Sequence, residues 1–275
     1  MSVRERIDIL LRVIFTVLIY IIIQTGVQIV SVFIAYFQNV SVDVNLTESI
    51  ISSVVKMKES KYLISFISII FTSIVYYFKF FLKKNSEEAI DIKLKKISIC
   101  QFIESIFIGI SITCLLYIFM TNCLINEESV NPHLVLTNFS MLNIIFYVFI
   151  GGILVPIFEE ILYRGIVFEH LKKLFNIKLV IVLQAVIFAI THNNKAQVIY
   201  TLILGLILGV VYCINENIIN CCIIHIIFNV LGMYVLPYVN WTNKTMYGII
   251  GASIVVLFIG VLCMVKKKDY VDVLK

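Results

Sequence analysis

Eight apolar stretches, most of them close to the length of a bilayer crossing, constrain this chain more than any other feature. They run over about residues 13–37, 62–82, 97–120, 142–163, 178–192, 196–214, 218–236 and 246–265. A backbone in hydrocarbon has no water to bond, so each crossing must satisfy its own N–H and C=O groups. An α-helix does this within one segment, and about 20 residues reach across the roughly 30 Å apolar layer. Charged residues make up 14% of the chain, against about 25% in soluble domains, which leaves these segments little with which to face water. The expected fold is therefore all-α, a polytopic membrane helix bundle of about eight transmembrane helices. Residues 1–275 read as a single integral-membrane domain, with no linker, low-complexity tract or internal repeat to divide them.

The charges give the orientation. With the N-terminus in the cytoplasm and eight crossings, only Lys56, Lys58, Lys61, Lys195 and Lys244 of the 22 Lys and Arg fall outside; the other 17 fall inside. The positive-inside rule then predicts both termini in the cytoplasm. The net charge of +5 follows from this topology and calls for no nucleic-acid partner. The first apolar run, preceded by Arg4, Arg6 and Arg12, is too long for a signal-peptide core and has no small-x-small cleavage site, so an uncleaved first span is expected. Four Asn-x-Ser/Thr triplets, at Asn39, Asn45, Asn138 and Asn243, map to the outer side. They matter only in a eukaryotic secretory pathway, and the richness in Ile, Lys and Asn points to a bacterial plasma membrane instead. Segment 38–61 is expected to be a surface helix. The seven cysteines form no disulfide framework. Cys222-x-x-His225 could be half of a metal motif, but a small apolar helix residue explains Cys222 more simply.

Ionisable groups inside such spans are costly and mark functional sites. At the end of the uncharged run 142–157 stands Phe158-Glu159-Glu160-Ile161-Leu162-Tyr163-Arg164. A helical spacing of four places Glu160 and Arg164 on one face, acid first, while Glu159 lies about 100° away with no cation of its own. One acid is thus neutralised and the other left available, although a cytoplasmic helix end with surface charges would also produce this segment. Helix four continues through 165–175, with Glu169, His170, Lys172 and Lys173, to a turn at Asn176. The short apolar stretch 179–190 then climbs back to Phe188-x-x-x-His192. Glu160 and His192 are equally far from that turn, hence at one height along the hairpin. In the seventh span His225 and Asn229, four apart, form one polar stripe. Glu104 is the remaining strongly polar group and reads as interfacial. Gly205-x-x-x-Gly209 permits close helix packing. A Glu and a His can act as general base on a water. A His and an Asn can donate hydrogen bonds to a developing oxyanion. These are the parts for hydrolysing an amide without a Ser or Cys nucleophile.

The three motifs, Glu159-Glu160-x-x-x-Arg164, Phe188-x-x-x-His192 and His225-x-x-x-Asn229, resemble those of the CPBP family, the CAAX proteases and bacteriocin-processing proteins also called Abi, which includes the type II CAAX prenyl endopeptidases. The resemblance covers about residues 140–236, the motif-bearing catalytic core. It implies an intramembrane endopeptidase of about eight helices with a cavity open to the cytoplasm. Glu159 and His192 would activate the water, His225 and Asn229 would form the oxyanion site, Arg164 would brace Glu160, and Phe188 would complete the second motif. The family is often called a metalloprotease, and Glu159, His192 and His225 could ligate zinc with one position left for water. There is no His-Glu-x-x-His, and a metal-free mechanism with no required cofactor is favoured. The implied substrate is a peptide or protein tail at the membrane, in maturation of bacteriocins or signal peptides or in self-immunity. The alternatives are a non-catalytic bacteriocin-immunity or scaffold protein and a proton-coupled transporter. The transporter reading lacks the repeated halves that such folds show.

Overall fold

A computed structural model describes residues 1–39, 61–81, 92–123, 141–192 and 194–266. The surface helix expected over 38–61 and the outer loop 121–141 fall almost wholly outside the described residues. Eight helices follow in order: α1 (Val3–Asn39), α2 (Lys61–Tyr76, running on through a π-turn at Tyr77–Phe81), α3 (Ile99–Cys123), α4 (141–172), α5 (Ile177–Ile190), α6 (Lys195–Asn215), α7 (Ile218–Tyr234) and α8 (Asn243–Lys266). A short 3-10 turn, Leu236–Tyr238, follows α7, and no strand occurs among the described residues. The protein is all-α, as its apolar segmentation requires. Seven of the helices are long and apolar enough to cross a bilayer. The eighth, α5, has 14 residues and reaches only about 21 Å.

The described residues fall into two compact units. In the smaller, residues 11–39 and 61–81, the buried Tyr76 hydroxyl donates to Thr16 O at 2.7 Å and so ties α2 to α1. The larger unit takes residues 1–10 and the described residues from 92 onward. In it α3 packs on α7 and α8, α5 on α6 and α4, and α7 on α4 and α6.

Local sequence sets the helix ends. Ser98 and Gln101 form a capping box at the start of α3: Gln101 N–H donates to Ser98 Oγ at 3.2 Å and Ser98 N–H to Gln101 Oε1 at 2.9 Å. Asn176, Asn194 and Asn217 cap α5, α6 and α7, their Oδ1 atoms accepting from Leu179, Ala196 and Ile219 N–H at 3.0, 2.9 and 3.2 Å. Asn217 does more: its Nδ2 donates to Lys95 O at 2.7 Å and pins the irregular segment 92–98 beside the α6–α7 turn. Hydroxyls within the apolar helices return to their own backbone. Ser68, Thr72, Ser105, Ser111, Thr113 and Thr201 each donate to the carbonyl four residues back. That arrangement satisfies the hydroxyl where water is absent.

Candidate functional site

The site begins with an irregularity in α4. Its stretches Val148–Leu154 and Ile161–Phe168 are wound as π-turns, and between them lies the regular segment Val155–Glu160. π-Turns inside α-helices are rare and gather at functional sites. Glu159 and Glu160 occupy the last two positions of the regular segment, so both acids sit where the winding changes.

Glu160 and Arg164 are each fully buried, and Glu159 is 7% exposed. Arg164 Nη1 donates to Glu160 Oε1 at 2.8 Å, which is the pair that the spacing of four predicts. Its Nη2 donates to Gly205 O on α6 at 3.3 Å. Glu160 Oε1 also faces His225 Nδ1 at 2.7 Å. An oxygen that accepts from a guanidinium carries no proton of its own, so Nδ1 is the donor in this bond. The other ring nitrogen, Nε2, lies 3.6 Å from Glu159 Oε2. His225 therefore stands directly between the two acids and does not face them across a gap. It is 2% exposed.

Helix α5 brings the second motif. Phe188, fully buried, is the hub of the cluster. Its ring centroid lies 4.8 Å from that of Tyr163, 5.1 Å from His192 and 5.8 Å from His225. The Arg164 guanidinium carbon lies 5.1 Å from the same ring, a cation–π contact. One residue type therefore explains the Phe of Phe-x-x-x-His: a flat apolar surface against which both imidazoles and the arginine are set. His192, half-buried just past the end of α5, is held by Phe188 O, 2.9 Å from its Nδ1. A carbonyl only accepts, so Nδ1 carries the hydrogen and Nε2 keeps its lone pair when the ring is neutral. Thr191 Oγ1 donates to Phe188 O at 2.7 Å. The 2.7 Å contact between Tyr163 and Thr191 hydroxyls is then donated by Tyr163, and it ties α4 to the end of α5.

Asn229 lies one turn beyond His225 on α7, and its Nδ2 donates to Gly151 O on α4 at 3.0 Å. All seven residues singled out by the motifs lie on α4, on α7 and at the end of α5; six are linked by hydrogen bonds, ring contacts or the 3.6 Å Glu159–His225 contact, and Asn229 bonds the α4 backbone at Gly151 O. The sequence did not single out Gln184. It lies fully buried in a stretch that reads as apolar and donates to Gly205 O at 2.8 Å, the carbonyl that Arg164 also uses. A Cβ on Gly209 would stand 2.6 Å from Gln184 Nε2. The Gly205-x-x-x-Gly209 pattern therefore makes room for a polar side chain as well as for a neighbouring helix. One amide in the otherwise apolar stretch 179–190 was the available signal. Segment 165–172 is packed too: Glu169 accepts from Tyr212 at 2.9 Å and lies 3.9 Å from Lys93 Nζ, and His170 is buried with Nδ1 2.8 Å from Ile166 O.

Glu159, His192 and His225 have the donor chemistry that zinc accepts. Their arrangement is another matter. Among the described residues no three His, Cys, Asp or Glu side chains come together as a group that could hold a metal ion. His225 Nδ1 is turned to Glu160 and His192 Nδ1 to Phe188 O.

Residues 141–231 match the family model described as Type II CAAX prenyl endopeptidase Rce1-like. The match contains all three motifs. No curated protein and no solved structure matches the chain.

Proposed function

We propose that this multi-pass membrane protein, whose residues 141–231 match the Rce1-like type II CAAX prenyl endopeptidase family model, is an intramembrane endopeptidase that cuts membrane-associated peptides or protein tails with a water activated by Glu159 and His192. The observation that supports this most is the joining of two carboxylates and an imidazole in one buried network, with a second imidazole on the same phenylalanine ring.

The roles follow from the hydrogen bonds. Glu160 is spent on Arg164 and His225, so it braces. Glu159 makes no hydrogen bond to Arg164 and meets His225 Nε2 only at 3.6 Å, so it serves as the base. His192, with Nδ1–H fixed on Phe188 O, offers a lone pair at Nε2 to the same water. Glu159 takes a proton as the water oxygen attacks the peptide carbonyl, then returns it to the departing amine, so that protons balance over the cycle. The charge that develops on the carbonyl oxygen is met by His225 Nε2–H and by the amide hydrogen of Asn229 that Gly151 does not use. Because Nδ1 already donates to Glu160, His225 has an N–H at Nε2 only as imidazolium.

The bilayer is the working environment, and the 17 inner cations of the sequence favour both termini in the cytoplasm of a bacterial cell. The side chains supply base and oxyanion donors themselves, so no step of this reaction calls on a metal. The test is cleavage of a quenched peptide ending in a farnesylated CAAX tetrapeptide by the full chain in lipid vesicles. Wild type should cut it. Glu159→Gln and His192→Ala should each lose about 100-fold or more in turnover while inserting normally. Undiminished cleavage by Glu159→Gln would remove the base from this mechanism. Cleavage by no form, with bacteriocin resistance of cells kept in Glu159→Gln, would favour a non-catalytic immunity protein.

A further inference from the structure

A proline stands inside α4, where a helix has need of its N–H. In the π-turn before it, Val155 N–H bonds Ile150 O, five residues back. In the same register the next donor is residue 156 and its acceptor is Gly151 O. Residue 156 is proline, which has no N–H. In an apolar bundle a carbonyl left without a donor is costly, and another group must replace it. The replacement comes from a different helix: Asn229 Nδ2 on α7 donates to Gly151 O at 3.0 Å. Gly152 makes that reach feasible. A Cβ there would stand 2.8 Å from Val230 Cγ2, so a larger residue would hold α7 off at the position next to Asn229.

We infer that Asn229 is a positioning residue for the acid pair: its side-chain amide substitutes for the N–H that Pro156 lacks and fixes the register in which Val155–Glu160 presents Glu159 and Glu160. The inference deepens the proposed hydrolase reading and rests on it for its effect on turnover, but not for its effect on the helix. An asparagine amide has two donor hydrogens. One is held by Gly151 O, and the second remains for the oxyanion, so the two duties can be separated by experiment.

The separating change is Pro156→Ala, which gives α4 its own donor for Gly151 O. The full chain is purified in detergent for thermal unfolding and hydrogen exchange, and reconstituted in vesicles for cleavage of the farnesylated peptide. Asn229→Ala should lower the unfolding midpoint by about 5 °C and speed exchange of the amides of residues 157–160. Asn229→Asp, of the same shape but without the donor hydrogens, should fall at least as far. Adding Pro156→Ala to either variant should return most of the midpoint and the exchange protection. Turnover should fall about 1000-fold in Asn229→Ala and recover about tenfold in the double variant, the rest being the missing oxyanion donor. If Pro156→Ala restores neither midpoint nor protection in both backgrounds, the positioning role is overturned. If Asn229→Ala loses midpoint and protection yet cuts at the wild-type rate, the hydrogen bond to Gly151 stands and the oxyanion assignment falls.

Discussion

At the scale of single residues, the different roles proposed for the neighbours Glu159 and Glu160 rest on their different partners. Glu160 Oε1 lies 2.8 Å from one cation and 2.7 Å from His225 Nδ1, in a place with no exposure at all. Such a pair need not stabilise the fold relative to apolar replacements, but removing one partner leaves a buried charge uncompensated at a cost of about 3–5 kcal/mol. Glu160→Ala should therefore lower resistance to denaturant by that order, and Glu160→Leu with Arg164→Met should regain much of it without regaining cleavage. Glu159→Ala strands no guanidinium, and should lose cleavage with a stability change below about 1 kcal/mol. Chemical denaturation of the four forms in detergent measures this directly. Wild-type stability in Glu160→Ala would mean that the pair is not a brace.

Among the elements, α4 to α7 illustrate how an apolar bundle accommodates polar atoms. Four of the side chains hand a nitrogen to a carbonyl: Gln184 and Arg164 to Gly205 O, Asn229 to Gly151 O, His192 to Phe188 O. The glycine at 209 belongs to this scheme. Alanine there would press on Gln184 Nε2 at 2.6 Å, the movable end of a side chain, so the amide would swing off Gly205 O before the helices parted. Gly209→Ala should cost about 1–3 kcal/mol, the penalty for a buried polar group deprived of its partner. In a Gln184→Leu background the same substitution should cost much less, because the contact is already gone. Additive effects in this cycle would show that Gly209 serves helix packing alone.

On the scale of the whole molecule, the distribution of cations is the organising fact. If both termini lie in the cytoplasm, as we propose, 17 of the 22 Lys and Arg fall inside and five Lys outside, the bias that the positive-inside rule favours. Protease-cleavable tags fused at residue 1 and at residue 275 should both be protected in intact cells and both be cut once the membrane is opened. Digestion of either tag in intact cells would invert or break the proposed topology. The short α5, about 21 Å by its residue count, also follows from the molecular plan. It returns from the Asn176 turn only as far as Phe188 and His192, the level at which it meets α4 and α7 around one ring.

Hydrophobic segmentation and the spacing of a few polar residues determined, from sequence alone, that this is a helical membrane protein, where its helices lie within a few residues, and which polar residues share a helix face. These are local or one-dimensional quantities. A run of apolar residues is a helix in lipid whatever surrounds it, and a spacing of four puts Glu160 beside Arg164 in any helix. Tertiary structure decided where each hydrogen goes. The sequence places His225 and Asn229 on one face without saying that one faces Glu160 and the other Gly151, since those partners are 65 and 78 residues away. Nor does it show that Pro156 leaves a particular carbonyl unserved. That depends on the five-residue register of the preceding turn, and on a glycine narrow enough to let a second helix supply the donor.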